Sequence, residues 1–176
     1  MDTIDYDVAP AGTFARVFPL AIGGMFALAF IGTVLGVGLR HPQVLIGAVP
    51  AFLLAFVVVA GMAWIIRNPR VRLADGVLVA GRLPTLRAPI ADLDLDAARI
   101  VDLDAEPGLQ PTFRLLGTSL PGYRTGWFYL RDRSRAFLVV TDAKRVLVLP
   151  RHDAGPVLLS ACKPDALLAA LRRARG

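Results

Sequence analysis

The sequence contains one cysteine and two histidines among its 176 residues. A single cysteine, Cys162, excludes a disulfide within the chain and offers no metal cluster. His41 lies in a short link between two apolar stretches, and His152 lies just past a predicted strand. The chain therefore offers no histidine pair for zinc and no Cys–His pair for nucleophilic catalysis. We expect no metal ion, no cofactor and no catalytic residue, and we interpret the protein as not being an enzyme.

Charged residues are absent from two long stretches near the N-terminus. Residues 17–39 and 44–66 contain no Asp, Glu, Lys, Arg or His, and four residues separate them. Each stretch contains 23 residues. A helix of that length spans about 34 Å, which is enough for the ~30 Å hydrocarbon core of a bilayer. The sequence therefore predicts a transmembrane helical hairpin over residues 17–66.

The predicted hairpin separates a short tail from a larger domain. The tail, residues 1–16, contains three Asp residues, whereas a cleaved signal peptide begins with a positively charged segment. We therefore expect the first helix to be retained. The domain comprises residues 67–176. Because pumps and proton-coupled transporters place ionisable groups inside the membrane, and neither predicted helix has one, we expect the hairpin to serve as an anchor.

Two glycines in the first predicted helix have a spacing that favours helix packing. Gly32 and Gly36 form a GxxxG pair, and small residues at this spacing let two helix backbones approach closely in lipid. Because the link is short, the second helix of the same chain is the expected partner of this face. The alternative is self-association of two chains through the same glycines.

Basic residues are concentrated in the domain that follows the hairpin. Residues 67–176 hold 18 of the 20 Lys and Arg residues and 11 of the 14 acidic residues, which gives this part a net charge of +7. A basic domain beside a membrane suits anionic lipid headgroups better than nucleic acid. We therefore expect lipid headgroups, and no nucleic acid, among the partners.

The charges that flank the hairpin predict its orientation. Four arginines lie beyond its outer ends and one lies in its link: Arg16, Arg67, Arg70 and Arg72 against Arg40. By the positive-inside rule, both termini should then be cytoplasmic. The bias towards Arg, Ala and Leu is typical of a GC-rich bacterial genome. The expected location is therefore the bacterial inner membrane, which the chain crosses more than once.

Short apolar segments alternate with turn residues from Arg70 onwards. Asp75-Gly76 predicts a tight hairpin turn, and Pro164 begins an amphipathic helix. The predicted strands are residues 71–73, 77–79, 90–96, 100–103, 127–130, 136–140, 145–149 and 157–160. Four residues are expected to reverse the chain before the aromatic strand: Gly117, Pro121, Gly122 and Gly126. The predicted fold class is α+β, in which a helical hairpin precedes a mostly-β meander, a barrel or sandwich capped by a C-terminal α-helix.

Three aspartates alternate with apolar residues in the first part of the domain. Asp92, Asp94 and Asp96 would share one face of a strand. A calcium-binding EF-hand loop would also need a Gly and a Glu at the positions of Ala97 and Leu103. We therefore interpret the triplet as a solvated acidic face, with a calcium loop as the alternative.

An ordered series of motifs gives the domain a family resemblance. The segments are GTSLPGYRTGWFYL, AFLVVTDAKRVLVLP and LLSACKPDALLAALR. Together they resemble the bacterial pleckstrin-homology (PH)-like domain family, whose members often follow one or two transmembrane helices. The matching positions are Arg114, Gly117, Gly122, Gly126, Phe128, Thr141, Ser160 and Pro164.

The resemblance covers about residues 70–175. It implies a PH-like barrel with a C-terminal helix, and it implies no shared catalytic residues. Eukaryotic relatives bind phosphoinositides through basic residues in the first hairpin loop, but the turn at residues 74–76 contains none.

Basic side chains cluster at two predicted turns of the domain. Arg131, Arg133 and Arg135 surround the turn after the aromatic strand, and Lys144 and Arg145 lie at the next turn. We hypothesise that these turns face lipid or a partner at the inner leaflet, where each basic residue would contribute about 1 kcal/mol of attraction to anionic lipid. The alternative is that both are ordinary solvated hairpin turns.

These observations favour a membrane-anchored, non-catalytic binding or scaffolding protein. Its PH-like domain would be presented at the cytoplasmic face of the inner membrane. Two alternatives stay open: a homo-oligomer that assembles through its glycine-rich helices or sheet edges, and an accessory subunit of a membrane transporter or enzyme.

Overall fold

The computed structural model describes residues 4–38, 40–41 and 43–175, which form two compact units. One unit is the helical pair Thr13–Arg67, and the other joins the residues up to Gly12 with those from Asn68 onwards. The predicted end of the first helix, Leu39, and the link residue Pro42 lie outside the described residues. Residues 4–12 of the predicted tail cluster with the domain.

Two long helices make up the first unit. Helix α1 is Thr13–Thr33 and continues as a π-helical segment, Val34–Gly38; helix α2 is Gln43–Arg67. Both are candidate membrane spans by length and composition, over 24 and 22 residues with mean hydropathies of 2.1 and 2.5. Large apolar side chains are exposed on them, such as Met25 at 71% and Ile46 at 79%. The two predicted apolar helices are confirmed, and lipid would cover such side chains.

The contacts between the helices differ from the expected ones. The rings of Phe30 and Phe52 meet edge-to-face with centroids 4.9 Å apart, and a Cβ added at Gly23 would lie 3.7 Å from a valine side chain of α2. No described residue of α2 comes within 4 Å of a Cβ added at Gly32 or Gly36. The described residues therefore do not show the close contact with the second helix that was expected at these two glycines. Because the chain is π-helical across Gly36, the two do not lie on one regular α-helical stripe.

The second unit contains two β-sheets and helix α3. The first sheet is antiparallel, with strands in chain order: β1 (Ile4–Tyr6), β2 (Val71–Ala74), β3 (Val77–Ala80) and β4 (Leu86–Pro89). The second sheet has the order β5-β9-β10-β8-β7-β6. Its strands are β5 (Arg99–Val101), β6 (Pro111–Leu120), β7 (Tyr123–Leu130), β8 (Arg135–Val140), β9 (Val146–Leu149) and β10 (Val157–Leu159). Helix α3 is Pro164–Arg175.

The central strands of the second sheet are buried on both faces. One face packs with the first sheet and α3 in the larger core, where Phe137, Leu147 and Leu167 are fully buried. The other face forms a smaller core around Leu138, to which Leu103 contributes from the segment after β5. Burial on both faces explains why β8, β9 and β10 are continuous apolar runs. Because the two sheets do not close on each other, the predicted α+β class is confirmed in its sandwich form.

The second sheet is not the predicted meander, because strand β10 lies inside it. It lies between β8 and β9, pairing parallel with β8 (Leu158 with Leu138) and antiparallel with β9 (Leu158 with Val148). The connection from β8 to β9 therefore skips one strand position, which β10 then fills. The expected meander is wrong because β10, an entirely apolar strand, lies inside the sheet, where both faces are covered, and not at its edge.

The acidic segment of residues 90–96 is not the predicted strand. Ile90–Asp92 form a 3-10 turn, and Leu93 and Leu95 are buried. The Asp94 carboxylate accepts hydrogen bonds from the backbone N–H groups two and three residues later, at 3.2 and 3.0 Å. The alternation of apolar and acidic residues predicted the buried side chains correctly. The segment is not a strand because the Asp94 carboxylate accepts hydrogen bonds from N–H groups that a strand would use to pair with its neighbour.

Two of the glycines expected to reverse the chain lie inside strands instead. Gly117 of β6 stands opposite Gly126 of β7, with φ angles of +130° and +117°. A Cβ on either glycine would collide with a backbone carbonyl of the other strand. The chain reverses at Pro121 and Gly122, whereas the glycine pair permits a close approach of the two strands in the middle of the hairpin.

We predict that Gly126→Ala destabilises the domain by at least about 2 kcal/mol, because the added methyl group collides with the Leu116 carbonyl at a positive φ. The matched control is Gly108→Ala, where an added Cβ meets no atom within 4 Å. It should change stability by no more than about 0.5 kcal/mol. Thermal unfolding in detergent, followed by circular dichroism, measures both. Equal melting temperatures for the two variants would contradict the steric explanation.

Candidate functional site

The two basic turns named from the sequence lie at opposite ends of β8. The turn before β8 carries Arg131, Arg133 and Arg135, and the turn after it carries Lys144 and Arg145; all five side chains are exposed. Strand β8 has six residues, which corresponds to about 17 Å between its first and last Cα atoms. The structure therefore does not bring the five cations into one patch.

The turn between β7 and β8 is held by its own hydrogen bonds. The Asp132 carboxylate accepts from the Ser134 N–H at 2.8 Å and from the Ser134 hydroxyl at 2.6 Å. Arg133 adopts a left-handed φ of 68°, and its N–H donates to the Leu130 carbonyl at 3.0 Å. These bonds compensate for the unfavourable backbone of Arg133.

An apolar groove begins beside this turn. Leu115, Leu116, Trp127 and Arg135 line an open groove of about 390 Å³. The Arg135 Nε donates to the Tyr129 hydroxyl at 3.2 Å, and its guanidinium lies 5.5 Å from the centroid of that ring. The groove thus combines apolar walls with one cation that its neighbour holds in place. It runs beside β6, the edge strand of the second sheet.

The turn between β8 and β9 leaves both of its cations exposed. The Lys144 N–H donates to the Asp142 carboxylate at 2.9 Å. Arg145 pairs with Asp165 of α3 at 2.8 Å, with the two side chains 61% and 74% exposed. An ion pair this exposed contributes at most about 1 kcal/mol to stability. Both cations therefore remain accessible to an anionic surface.

The end of the domain that carries this second turn also binds the N-terminal segment. The Ala9 N–H donates to the Ser160 carbonyl at 2.8 Å and the Thr141 hydroxyl donates to the Ala9 carbonyl at 2.6 Å. The Gly12 N–H donates to the Gly122 carbonyl at 2.9 Å. Gly12 directly precedes α1 in the chain. We call this end the Gly12 end, and the opposite end, with the turn between β7 and β8, the Arg133 end.

Three arginines and a tyrosine meet at the Gly12 end. The Gly81 N–H donates to the Arg70 carbonyl at 3.0 Å, which places Arg82 beside the start of β2. Side-chain nitrogens of Arg72 and Arg82 are buried, and Asp5 of β1 stands opposite Arg72 in the register. Burial, together with the positive charges of Arg70 and Arg72, lowers the pKa of the Arg82 guanidinium.

Tyr123 completes this group, which we call the arginine cluster: Arg70, Arg72, Arg82 and Tyr123. Tyr123 is 3% exposed. Burial raises its pKa to about 12, and the positive charge of Arg82 opposes that rise. The mutual effect on their pKa values indicates that the phenol and the guanidinium are neighbours.

The arginine cluster does not follow from local sequence patterns, although the register of the first hairpin indicates it. The sequence predictions use Arg70 and Arg72 for membrane orientation alone and assign no role to Arg82. The Asp75-Gly76 turn, with both residues at positive φ, pairs Ala74 with Val77 and Val71 with Ala80. Extending that register by one step places Arg70 beside Gly81, next to Arg82.

A family model for the bacterial PH domain matches residues 85–175, more than half of the chain. The chain belongs to the bacterial PH domain family. The resemblance noted from the sequence is thereby confirmed. The matched part of the PH domain runs from β4 to α3, so the arginines of the arginine cluster lie before it. No curated protein and no solved structure matches the chain.

The raised pKa of Tyr123 predicts a loss of stability at alkaline pH. The unfolded chain releases the phenolic proton near pH 10, whereas the folded PH domain holds it until the pKa of about 12. Stability should therefore fall between these two values, by roughly 1.4 kcal/mol per pH unit. Tyr123→Phe removes this contribution, so its unfolding free energy should decline less steeply from pH 10 to 12. Parallel profiles for both proteins, measured by thermal unfolding, would contradict the assignment.

Proposed function

We propose that this chain is a membrane-anchored, non-catalytic binding protein that presents its PH domain at the cytoplasmic face of the bacterial inner membrane. The observation that carries the proposal is the insertion of two candidate membrane spans into the PH domain unit, between Gly12 and Asn68. The excess of arginines beyond the outer ends of the spans supports the cytoplasmic side. A PH domain held in this way would work by binding rather than by chemistry.

We further propose that the two basic turns bind different partners. Lys144 and Arg145 lie at the Gly12 end, where the chain passes to α1, and this position favours contact with anionic lipid headgroups. Arg131, Arg133 and Arg135 lie at the Arg133 end, next to the apolar groove. Apolar walls with a neighbouring cation suit a protein partner better than a lipid surface.

A second candidate function rests on β6. This strand has ten residues, no other described strand pairs with its outer edge, and its Phe113 and Leu116 are 64% and 60% exposed. A long apolar edge strand is a template for pairing with another chain. This feature supports an accessory subunit that binds an extended segment of a membrane protein. Light scattering and mass spectrometry after gentle detergent extraction would distinguish that partner from a second copy of the chain.

The cytoplasmic location can be tested with the native cysteine. Cys162 is exposed and is the single cysteine of the chain. A maleimide that cannot cross membranes should leave it unlabelled in intact spheroplasts and label it after permeabilisation. The protein should also stay in the membrane pellet after alkaline carbonate extraction. Labelling in intact spheroplasts would place the PH domain outside the cytoplasm and contradict the proposal.

The separate roles of the two turns predict different responses to lipid. A donor dye on Cys162 should transfer energy to acceptor lipids more efficiently in nanodiscs with phosphatidylglycerol than in pure phosphatidylcholine, because the Gly12 end is attracted to the anionic surface. Replacing both Lys144 and Arg145 with Gln should reduce this difference. The matched control, Arg131→Gln with Arg133→Asn, also removes two charges and should leave it unchanged, since Asn tolerates the left-handed φ. Equal effects of both pairs would contradict the assignment.

A further inference from the structure

The loop between β3 and β4, residues 81–85, presents an apolar side chain to solvent at the Gly12 end. Leu83 is 63% exposed. Gly81 has a φ of +80°, and a Cβ on it would lie 2.6 Å from the Pro84 carbonyl oxygen. The Thr85 hydroxyl donates to the Arg82 carbonyl at 2.7 Å. The loop is thus shaped by a glycine and closed by a hydrogen bond, and it displays Leu83 outwards.

Chain length restricts where this loop can lie. Arg67 is the last residue of α2, and Arg70 follows three residues later, so their Cα atoms can be at most about 11 Å apart. The Gly81 N–H donates to the Arg70 carbonyl at 3.0 Å, which ties the loop to that point of the chain. If α2 spans the bilayer, the loop lies within reach of the headgroup region, which adds roughly 5–8 Å on each side of the hydrocarbon core.

The surroundings of Leu83 match the chemistry of a lipid headgroup. Arg82 is its direct neighbour in the chain, and the arginine cluster brings Arg70 and Arg72 to the same end. Guanidinium groups bind phosphate oxygens through paired, charge-assisted hydrogen bonds. An exposed apolar side chain beside several cations is the composition of segments that lie in the membrane interface.

We propose that the loop of residues 81–85 inserts into the membrane interface, with Leu83 entering the acyl boundary and the exposed Arg70 binding the phosphates of anionic lipids. The proposal deepens the proposed function, since it rests on α2 being a membrane span. The site differs from the first hairpin loop that eukaryotic relatives use, because the turn at Asp75 lies at the other end of β2 and β3.

The test places an environment-sensitive dye on the loop of the full-length protein. Cys162→Ser removes the native thiol, and Leu83→Cys then carries the dye. The matched control is Leu116→Cys, because Leu116 is 60% exposed and Leu83 is 63% exposed, whereas Leu116 lies on the edge strand β6. Both proteins are reconstituted in nanodiscs with and without phosphatidylglycerol, and emission wavelength and quenching by aqueous iodide are recorded.

The expected result is a blue shift and a loss of iodide quenching at position 83 in nanodiscs that contain phosphatidylglycerol. Arg70→Gln should diminish both effects, and the dye at position 116 should remain in water throughout. Equal quenching at both positions would overturn the proposal. A blue shift produced by inorganic phosphate in detergent would also overturn the proposal, because the ligand would then be free phosphate. The side of the membrane on which the PH domain lies is measured separately, by labelling of Cys162. A periplasmic PH domain would still show protection at position 83. The cytoplasmic location and the insertion of the loop can therefore fail independently.

Discussion

The pairing of β1 with β2 is the constraint on which the rest of the molecule depends. These strands lie on either side of the helical pair in the chain, yet they are antiparallel neighbours, with Ile4 opposite Leu73 and Tyr6 opposite Val71. The chain therefore leaves the PH domain for α1 and returns from α2 at the same end of one sheet. The hydrogen bond of Gly12 to Gly122 fixes the departure point as well. In the chain, the helices are an insertion between two paired strands.

This constraint assigns different surroundings to charges that look alike in the sequence. Arg145 and Arg133 both follow strands in basic turns, but β8 separates them, and of the two only Arg145 lies at the Gly12 end. The net charge of the domain therefore predicts a binding surface less well than the positions of the individual cations at the ends of the strands. The arginine cluster illustrates the converse, because Arg70 and Arg82 are distant in sequence and become neighbours through the register of one hairpin. Electrostatic attraction falls off within about 8–10 Å at physiological salt, so position along the domain decides which cations a membrane surface attracts.

Much of the fold follows from local patterns, and the departures have physical causes. Apolar runs predicted the two helices and the strands β8, β9 and β10, and Asp75-Gly76 predicted the first hairpin, since each pattern acts over a few neighbouring residues. The insertion of β10 between β8 and β9 and the addition of β1 to the first sheet depend on contacts between distant parts of the chain, which no local pattern encodes. The same reasoning applies to the candidate site: the basic turns were recognisable as separate clusters, whereas their separation and the arginine cluster required the strand register.

Tethering changes what weak interactions can accomplish. A soluble domain with three basic residues near a bilayer would gain about 3 kcal/mol, which corresponds to a dissociation constant well above a micromolar. Two membrane helices would remove the cost of bringing the domain to the surface, so that the same attraction would act on orientation alone. An energy of about 3 kcal/mol then favours one orientation by roughly a hundredfold, and each basic residue contributes about a fivefold preference. Because the proposed anchor would by itself ensure association, the effect of Arg70 or Lys144 should appear in the depth and tilt of the PH domain, and not in whether the protein is found in the membrane.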